Sequence, residues 1–586
     1  MPSITISDYA GRQHFRAAAL FMMVWATSAA GQERAPAARA DLIFTNARIY
    51  TVDESRPWAE SVAIRDGKIV AVGSNAEVIG RKGRKTKVID LAGRMLMPAF
   101  GDAHVHPVFG GMSRSRCSLH EGANLAQYQA IIAGCMEKAP GTGVIYGAGW
   151  SDGLFPPHGR PDKKLLDAVS KDRPLIFLSV GGHSLWLNSK ALSLAGISAA
   201  TPDPVNGKID RDPATGEPSG SLQEAAMELV DAYVPKPTSA EMQSAIVYVA
   251  GLLNGLGITS WEDAGIEMAP NGDSATLDAY KAVLDRGALT GHVSIALKWD
   301  NARSVEQIPA LIAASARARR LGLSARTVKF YVDGVIPQHT AFMLAPYENA
   351  GTDRGAAQIP AAILNRAVSG LDAHGIQAHV HAIGDGAVRE ALDAFEHALN
   401  RNGGKGHRPM ISHMNVVDPS DQPRFGALGA IAVFQPTWAS NYEYMDLTKR
   451  AVGPERSKAI YPANSIARAG GRLAYGSDWP VGPVNPLEGL EVAVTRRING
   501  DAQAEPLLPS EGVTLAQAVK AYTLNVAYAN RMDKITGSIA VGKSADLIVL
   551  DENIFELPVQ RIAKAKVLVT LFKGKPVFGT LDGTRR

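Results

Sequence analysis

"MLMPAFGDAHVHP", residues 95–107, decides the reading of the fold. An apolar run opens it, and two histidines one residue apart, His104 and His106, close it. Residues i and i+2 of an extended segment point to the same side. Both imidazoles therefore face one spot at the end of what reads as a buried strand. An H-x-H pair alone is a weak signal, so its weight depends on what the rest of the chain places beside it.

Seven further apolar segments alternate with helical stretches: "GITSWEDAG" (257–265), "HVSIALKW" (292–299), "TVKFYVDG" (327–334), "IQAHVHAIGD" (376–385), "PMISHM" (409–414), "AIAVFQP" (430–436) and "RLAYGSDWP" (472–480). Strand and helix in alternation build a parallel sheet from βα units. Eight of them predict an α/β protein with a (β/α)8 TIM barrel over residues 96–529. The interval from the first strand to the second is far longer than a crossover needs. An inserted domain is therefore expected over 112–240, with strands and a helix of its own in "GTGVIYGAGWSDG" and "RPLIFLSVGGHSLWLNSKAL". Short alternating strands punctuated by turns, such as "SVAIRDGKIVAVG", occupy the start of the chain, and the same style returns in "AKVLVTLFKGKPVFG". These two pieces, 41–95 and 530–586, predict one small composite β-sandwich domain built from both termini.

The chain has 586 residues, 46% hydrophobic and 20% charged, and a formal net charge of +4. So small a charge on so long a chain creates no strong field, which excludes nucleic acid as a partner. The densest basic run, "GRKGRKTK" (80–87), reads as a solvated loop. Arg12 and Arg16 precede "AAALFMMVWATSAAG" (17–31), an apolar core followed by small residues. Residues 1–30 read as a signal peptide cleaved after Ala30, so an exported, periplasmic protein without stable membrane insertion after processing is expected. The two cysteines, Cys117 and Cys135, form either one bridge in an oxidising compartment or two buried thiols.

Catalytic groups of a barrel sit at the C-terminal ends of its strands, where the βα loops make the open face. His104 and His106 close strand one, Lys329 lies in strand four, His379 and His381 close strand five, His413 closes strand six and Asp478 closes strand eight. A mixed histidine and carboxylate set suits one or two Zn²⁺, with Fe, Mn, Co or Ni tolerated.

"GDAHVHP", "VKFYVDGV", "HVHAIGDGAV", "ISHMNV" and "YGSDWPVGPVNPLEGLEVAVTRR" resemble the amidohydrolase superfamily, specifically its YtcJ-like amidohydrolase-3 branch, which includes N-substituted formamide deformylases. The resemblance runs from about residue 41 to 580 and implies a metal-dependent hydrolase. It makes His104, His106, His381 and His413 metal ligands and Lys329 a carboxylated lysine bridging two ions. Asp478 becomes the catalytic aspartate, which also touches metal. The other reading of Lys329 is an ion pair with Asp333 or Asp478. His379 is assigned to support of the ligands, although it shares a face with His381 and could be one. His183, in "GGHSLWLNSKAL", resembles a branch motif near the substrate, with a purely structural histidine as its alternative. Asp333 and Asp385 are expected to orient loops or helix starts. In "VIPQHTA" the chain departs from its relatives, so Gln338 and His339 bear on substrate recognition.

The expected reaction is hydrolysis of a non-peptide C–N bond in an amide, N-substituted formamide or carbamate. Asp478 serves first as base and then as acid. Trp150, Trp438 and Trp479, with Phe109 and Trp186, are candidates for an aromatic pocket, their alternative being ordinary packing. The expected partner is a small molecule, and a homodimer stays open. An esterase or lactonase on the same fold, and a non-catalytic exported binding protein, are the competing readings.

Overall fold

A break at Ala99 divides the opening stretch into two strands with different destinations. In the computed structural model, which describes residues 39–156, 158–404 and 406–582, Met95–Pro98 joins a sheet of the terminal domain while Phe100–Val105 begins the barrel. A continuous strand over both pieces is therefore not what forms. The expected signal peptide lies outside the described residues.

Phe100–Val105, Ile258–Ile266, His292–Lys298, Ser324–Tyr331, Gln377–Ala382, Met410–His413, Ile431–Phe434 and Arg472–Tyr475 form one eight-stranded sheet in sequential order. Every neighbouring pair is parallel. Strands one and eight meet through backbone hydrogen bonds just past their ends: Asp478 N–H donates to His104 O at 2.7 Å and His106 N–H to Trp479 O at 3.0 Å. Asp102 reinforces this join, its carboxylate accepting from Ser477 N at 3.0 Å and Ser477 Oγ at 2.6 Å. The approach is close enough to require Gly476, where a Cβ would lie 2.6 Å from His104 N. Helices such as Ser239–Gly255, begun by a capping box at Thr238, Ala275–Asp285, Ile308–Arg320 and Asp385–Asn402 return the chain between strands and pack the apolar layer outside the sheet.

The terminal domain has two sheets. The six-stranded one sets Leu547–Leu550 antiparallel to Met95–Pro98, with Val549 opposite Leu96, so that the two ends of the chain share a sheet. The four-stranded one contains Leu42–Thr45, Ser61–Arg65, Lys68–Gly73 and Lys87–Asp90. Leu42, Phe44, Val62 and Ile89 pack with Leu96, Leu547, Val549 and Leu571 in the core between them. In the segment 537–551 of the C-terminal piece only Leu547–Leu550 is strand.

Between the first and second barrel strands lies a six-stranded sheet of Gly207–Arg211, Pro218–Glu224, Ser184–Leu187, Leu175–Ser179, Ile145–Trp150 and Cys117–Ser118, in that spatial order. A Cys117–Cys135 disulfide ties its edge strand to the helix Leu125–Lys138, which answers the question the two cysteines left open. Closing a loop with a sequence separation of 18 restrains the unfolded insert. The Cys117→Ser, Cys135→Ser double variant is expected to lose about 3 kcal/mol of amide exchange protection within residues 117–224. Unchanged protection would show that the bridge carries none of the insert's stability. No helix among the described residues is long and apolar enough to cross a membrane.

Candidate active site

Where the first and last barrel strands join, three ligand-capable side chains converge. His104 Nε2 lies 3.3 Å and His106 Nε2 3.1 Å from Asp478 Oδ1. Asp478 is 5% exposed, and its Oδ1 accepts no hydrogen bond. Its backbone is in the left-handed region at φ 56°, as is that of His413 at φ 79°. Non-glycine residues adopt this conformation only where surrounding structure holds them there, and both sit where strand gives way to loop.

The histidines are held from behind. Lys329 Nζ lies beside the His104 ring, 3.1 Å from Nε2 and 3.5 Å from Nδ1. His104 Nδ1 contacts His379 Nε2 at 3.2 Å, and His379 Nδ1 contacts Glu262 Oε1. Glu262 Oε2 accepts from Thr327 Oγ1 at 3.1 Å and Ser294 Oγ at 3.3 Å. These contacts from barrel strands two to five hold the His104 ring with Nε2 facing Asp478, as outer partners of metal-ligating histidines do. Burial keeps His104, His379, His381 and His413 well below the ordinary imidazole range, and the Lys329 charge adds to this.

The Nε2 atoms of His104, kept neutral by burial, and of His106 thus close on one buried carboxylate oxygen. The donor set, two imidazoles and a carboxylate whose ligand atoms lie within 4.8 Å of one another, fits a divalent ion.

A second group adjoins the first. His413 Nδ1 contacts Gln435 Oε1 at 3.0 Å and lies 3.9 Å from Asp478 Oδ2. The His413 ring centroid is 4.6 Å from that of His381, whose Nε2 donates to Gly334 O at 3.3 Å. Lys329, fully buried, sits beside His104 and contacts Ser412 Oγ at 3.5 Å. Burial pushes its ammonium down to about 7, against the opposing pull of Asp478 and Glu262. It makes no ion pair with Asp333 or Asp478, the arrangement that was the other reading of this lysine. Asp333 instead accepts from the backbone N–H groups of Phe342, Ile383 and Gly384, and Asp385 from Leu344, so both organise loops.

The insert reaches this mouth through His183, whose ring centroid lies 5.1 Å from that of His381. Its Nδ1 contacts the two Glu224 oxygens at 3.1 and 3.0 Å. Burial opposes its charge, but the Glu224 carboxylate prevails and holds the imidazole above its usual value.

The aromatic candidates divide. Trp438 is half-buried and stacks on His413 at 5.6 Å, and Phe109, also half-buried, lies 6.4 Å from His106. Trp150 is a correction: wholly buried, it donates from Nε1 to Phe177 O and packs against Phe155 and Trp186 inside the insert, so neither Trp150 nor Trp186 presents a face to substrate. Trp479 is 5% exposed, and its ring fills the space a Cβ on Gly110 would need, 2.2 Å away; it too is a packing residue. His339 stacks on Tyr347 at 4.1 Å and contacts Asp353 within its own loop, so its described contacts do not bring it to the histidines. Sequence reasoning missed Glu262, Asp102, Gln435 and Glu224, each a buried or half-buried polar residue that holds a site residue in place.

A barrel with imidazoles and a carboxylate converging at its mouth defines the class: a hydrolase with a site suited to a divalent cation. Residues 87–578 match the amidohydrolase family, and the chain belongs to it. It is 30% identical to Protein LONG AFTER FAR-RED 3 of Arabidopsis thaliana over 550 residues, which cover 92% of each chain. It is 27% identical to an N-substituted formamide deformylase of Arthrobacter pascens, across 91% of this chain and 97% of that one. The solved structure of an uncharacterized metal-dependent hydrolase from Pyrococcus horikoshii OT3 shares the fold, with a TM-score of 0.67 at 22% identity, over 88% of this chain and 99% of that one.

Proposed function

We propose that the protein hydrolyses a non-peptide C–N bond in a small amide, N-substituted formamide or carbamate, with His104, His106, Lys329, His381, His413 and Asp478 holding one or two divalent ions, Zn²⁺ foremost. The observation that carries this reading is the pair of imidazole nitrogens closing on a buried Asp478 oxygen that has no hydrogen bond of its own. A divalent ion bound there supplies Lewis acidity, polarising an acyl oxygen and acidifying water. The Asp478 carboxylate takes the proton of the attacking water and delivers it to the nitrogen of the departing amine. His183, held by Glu224, borders the acyl group, while Trp438 offers an apolar wall. Lys329 carries a carboxylated amine in this reading: the modification, by carbon dioxide, exchanges the buried cation for an anionic carbamate with two ligand oxygens, whose charge the bound ions would neutralise. The similarity to a formamide deformylase supports the choice of bond.

Export to the periplasm belongs to the same reading, and the Cys117–Cys135 bridge supports an oxidising compartment. Elemental analysis of the purified protein beside His104→Ala tests the site. The expected result is one or two equivalents of Zn or a similar ion in the parent and a sharp fall in the variant; equal content in both would remove His104 from the ligand set. A panel of formamides, amides and esters assayed on the metal-loaded protein then separates C–N from ester hydrolysis.

A further inference from the structure

Barrel strand seven, Ile431–Phe434, supplies none of the candidate ion ligands, yet the turn after it closes on His413 from two directions. Gln435, wholly buried, holds its Oε1 3.0 Å from His413 Nδ1. Further along the turn, Trp438 lays its indole over the same imidazole, with the centroids 5.6 Å apart and the planes 15° from parallel. The backbone makes one unit of the two: Pro436–Trp438 is a 3-10 turn in which the Trp438 N–H donates to Gln435 O at 3.0 Å. The loop after strand eight backs the indole, since a Cβ on Gly482 would lie 2.7 Å from Trp438 Nε1.

Strand six does not itself aim this ring. At φ 79° the His413 backbone has left the extended conformation whose alternation directs side chains into or out of a barrel. The position of the ring is therefore set by what touches it. An imidazole that binds an ion through Nε2 carries its proton on Nδ1, and that proton needs an acceptor. Gln435 Oε1 lies within hydrogen-bond range of Nδ1, whereas the Asp478 carboxylate, with Oδ2 3.9 Å away, lies outside it.

We infer that Gln435 is the positioning residue for His413: it accepts the Nδ1 proton and thereby presents the Nε2 lone pair to an ion. The inference rests on the reading of His413 as an ion ligand. It gives strand seven a part in the site through the ligand of strand six, with Trp438 limiting the swing of the ring. The reverse orientation of the Gln435 carboxamide makes the opposite prediction. With its Nε2 donating to His413 Nδ1, the histidine proton would sit on the His413 Nε2 and block the ion.

Two measurements test this. The first uses metal-free protein labelled with 15N-histidine, with the His413 signals assigned by their loss in His413→Asn. Two-bond 1H–15N correlations report which ring nitrogen carries the proton. The wild type and Gln435→Glu, whose carboxylate can only accept, should show Nδ1–H, and Gln435→Leu should show a mixture of both tautomers. The second is Zn²⁺ titration of the same proteins against a chromophoric chelator. The ion held through His413 should bind ~10–100-fold more weakly in Gln435→Leu, the usual cost of removing an outer partner of a ligand. Gln435→Glu should bind it at least as tightly as the wild type. An Nε2 proton in the wild type, a tautomer that Gln435→Leu leaves as it was, or unchanged affinity in that variant overturns the inference. Should Gln435→Leu not fold, the other two proteins decide: an Nε2 proton in the wild type, or weaker binding in Gln435→Glu, sinks it. If the wild type binds no Zn²⁺, the ion reading fails, and the tautomers alone decide whether Gln435 sets the state of His413.

Discussion

Asp478→Asn is expected to reduce kcat by ~10²–10⁴-fold, the contribution of a positioned general base and acid, while the protein still folds and keeps most of its metal. Asparagine is one of the few residues that accepts the left-handed backbone found at this position, φ 56°, so the fold is not at risk. The carboxamide oxygen can still face His104 and His106, whose own lone pairs are untouched. What is lost is the ability of the carboxylate to accept a proton. Steady-state kinetics on an N-alkylformamide, together with metal content on the same preparation, read the two effects separately. Full activity in the variant would remove Asp478 from the chemistry; loss of metal and activity together would make it chiefly a ligand.

Lys329→Met is expected to act in opposite directions on activity and stability. Without Nζ the ligand group proposed between His104 and Ser412 is gone, and turnover should fall by ~10³-fold or more, as for loss of an electrostatic group in a dry site. The lysine is nevertheless fully buried with no carboxylate among the described residues in ion-pair range, and burial has already pushed it down to about 7. An apolar residue of similar length removes that burden. After chelation the variant should therefore be more stable than the wild type by about 1–4 kcal/mol, the range found when buried charges give way to hydrophobic side chains. Chelation is essential to the comparison, because a bound ion stabilises whichever protein holds it. Urea unfolding of both stripped proteins checks this, and a destabilised variant would show that the amine is satisfied where it lies.

The barrel was legible because each of its strands ends in punctuation. His413, Asp478 and the pair His104 and His106 follow apolar runs at once, and a polar residue at such a place has a reason to be there. The composite domain was legible from alternation alone. Glu262 was not, although it lies in plain view in "GITSWEDAG". A glutamate inside a strand carries no periodic signal, and its meaning comes from His379, Ser294 and Thr327 on neighbouring strands. Asp102 was hidden in the same way, its partner Ser477 lying 375 residues further along the chain. Trp150 and Trp479 erred in the opposite direction. Aromatic residues fill cores as readily as pockets, and no spacing says that the Trp150 indole N–H already has the Phe177 carbonyl.

The strand Met95–Pro98 lies beside Leu547–Leu550, and this fixes an order of events as the chain is made. The first half of the terminal domain emerges early and must wait, with Leu96 and Phe44 lacking the partners that seal their core, until the whole barrel has been synthesised. Contacts so distant along the chain form late and slowly, and an unpaired strand edge invites other chains meanwhile. Translation that stops short of Leu547 therefore releases a molecule with its catalytic strands complete and its sandwich half-built.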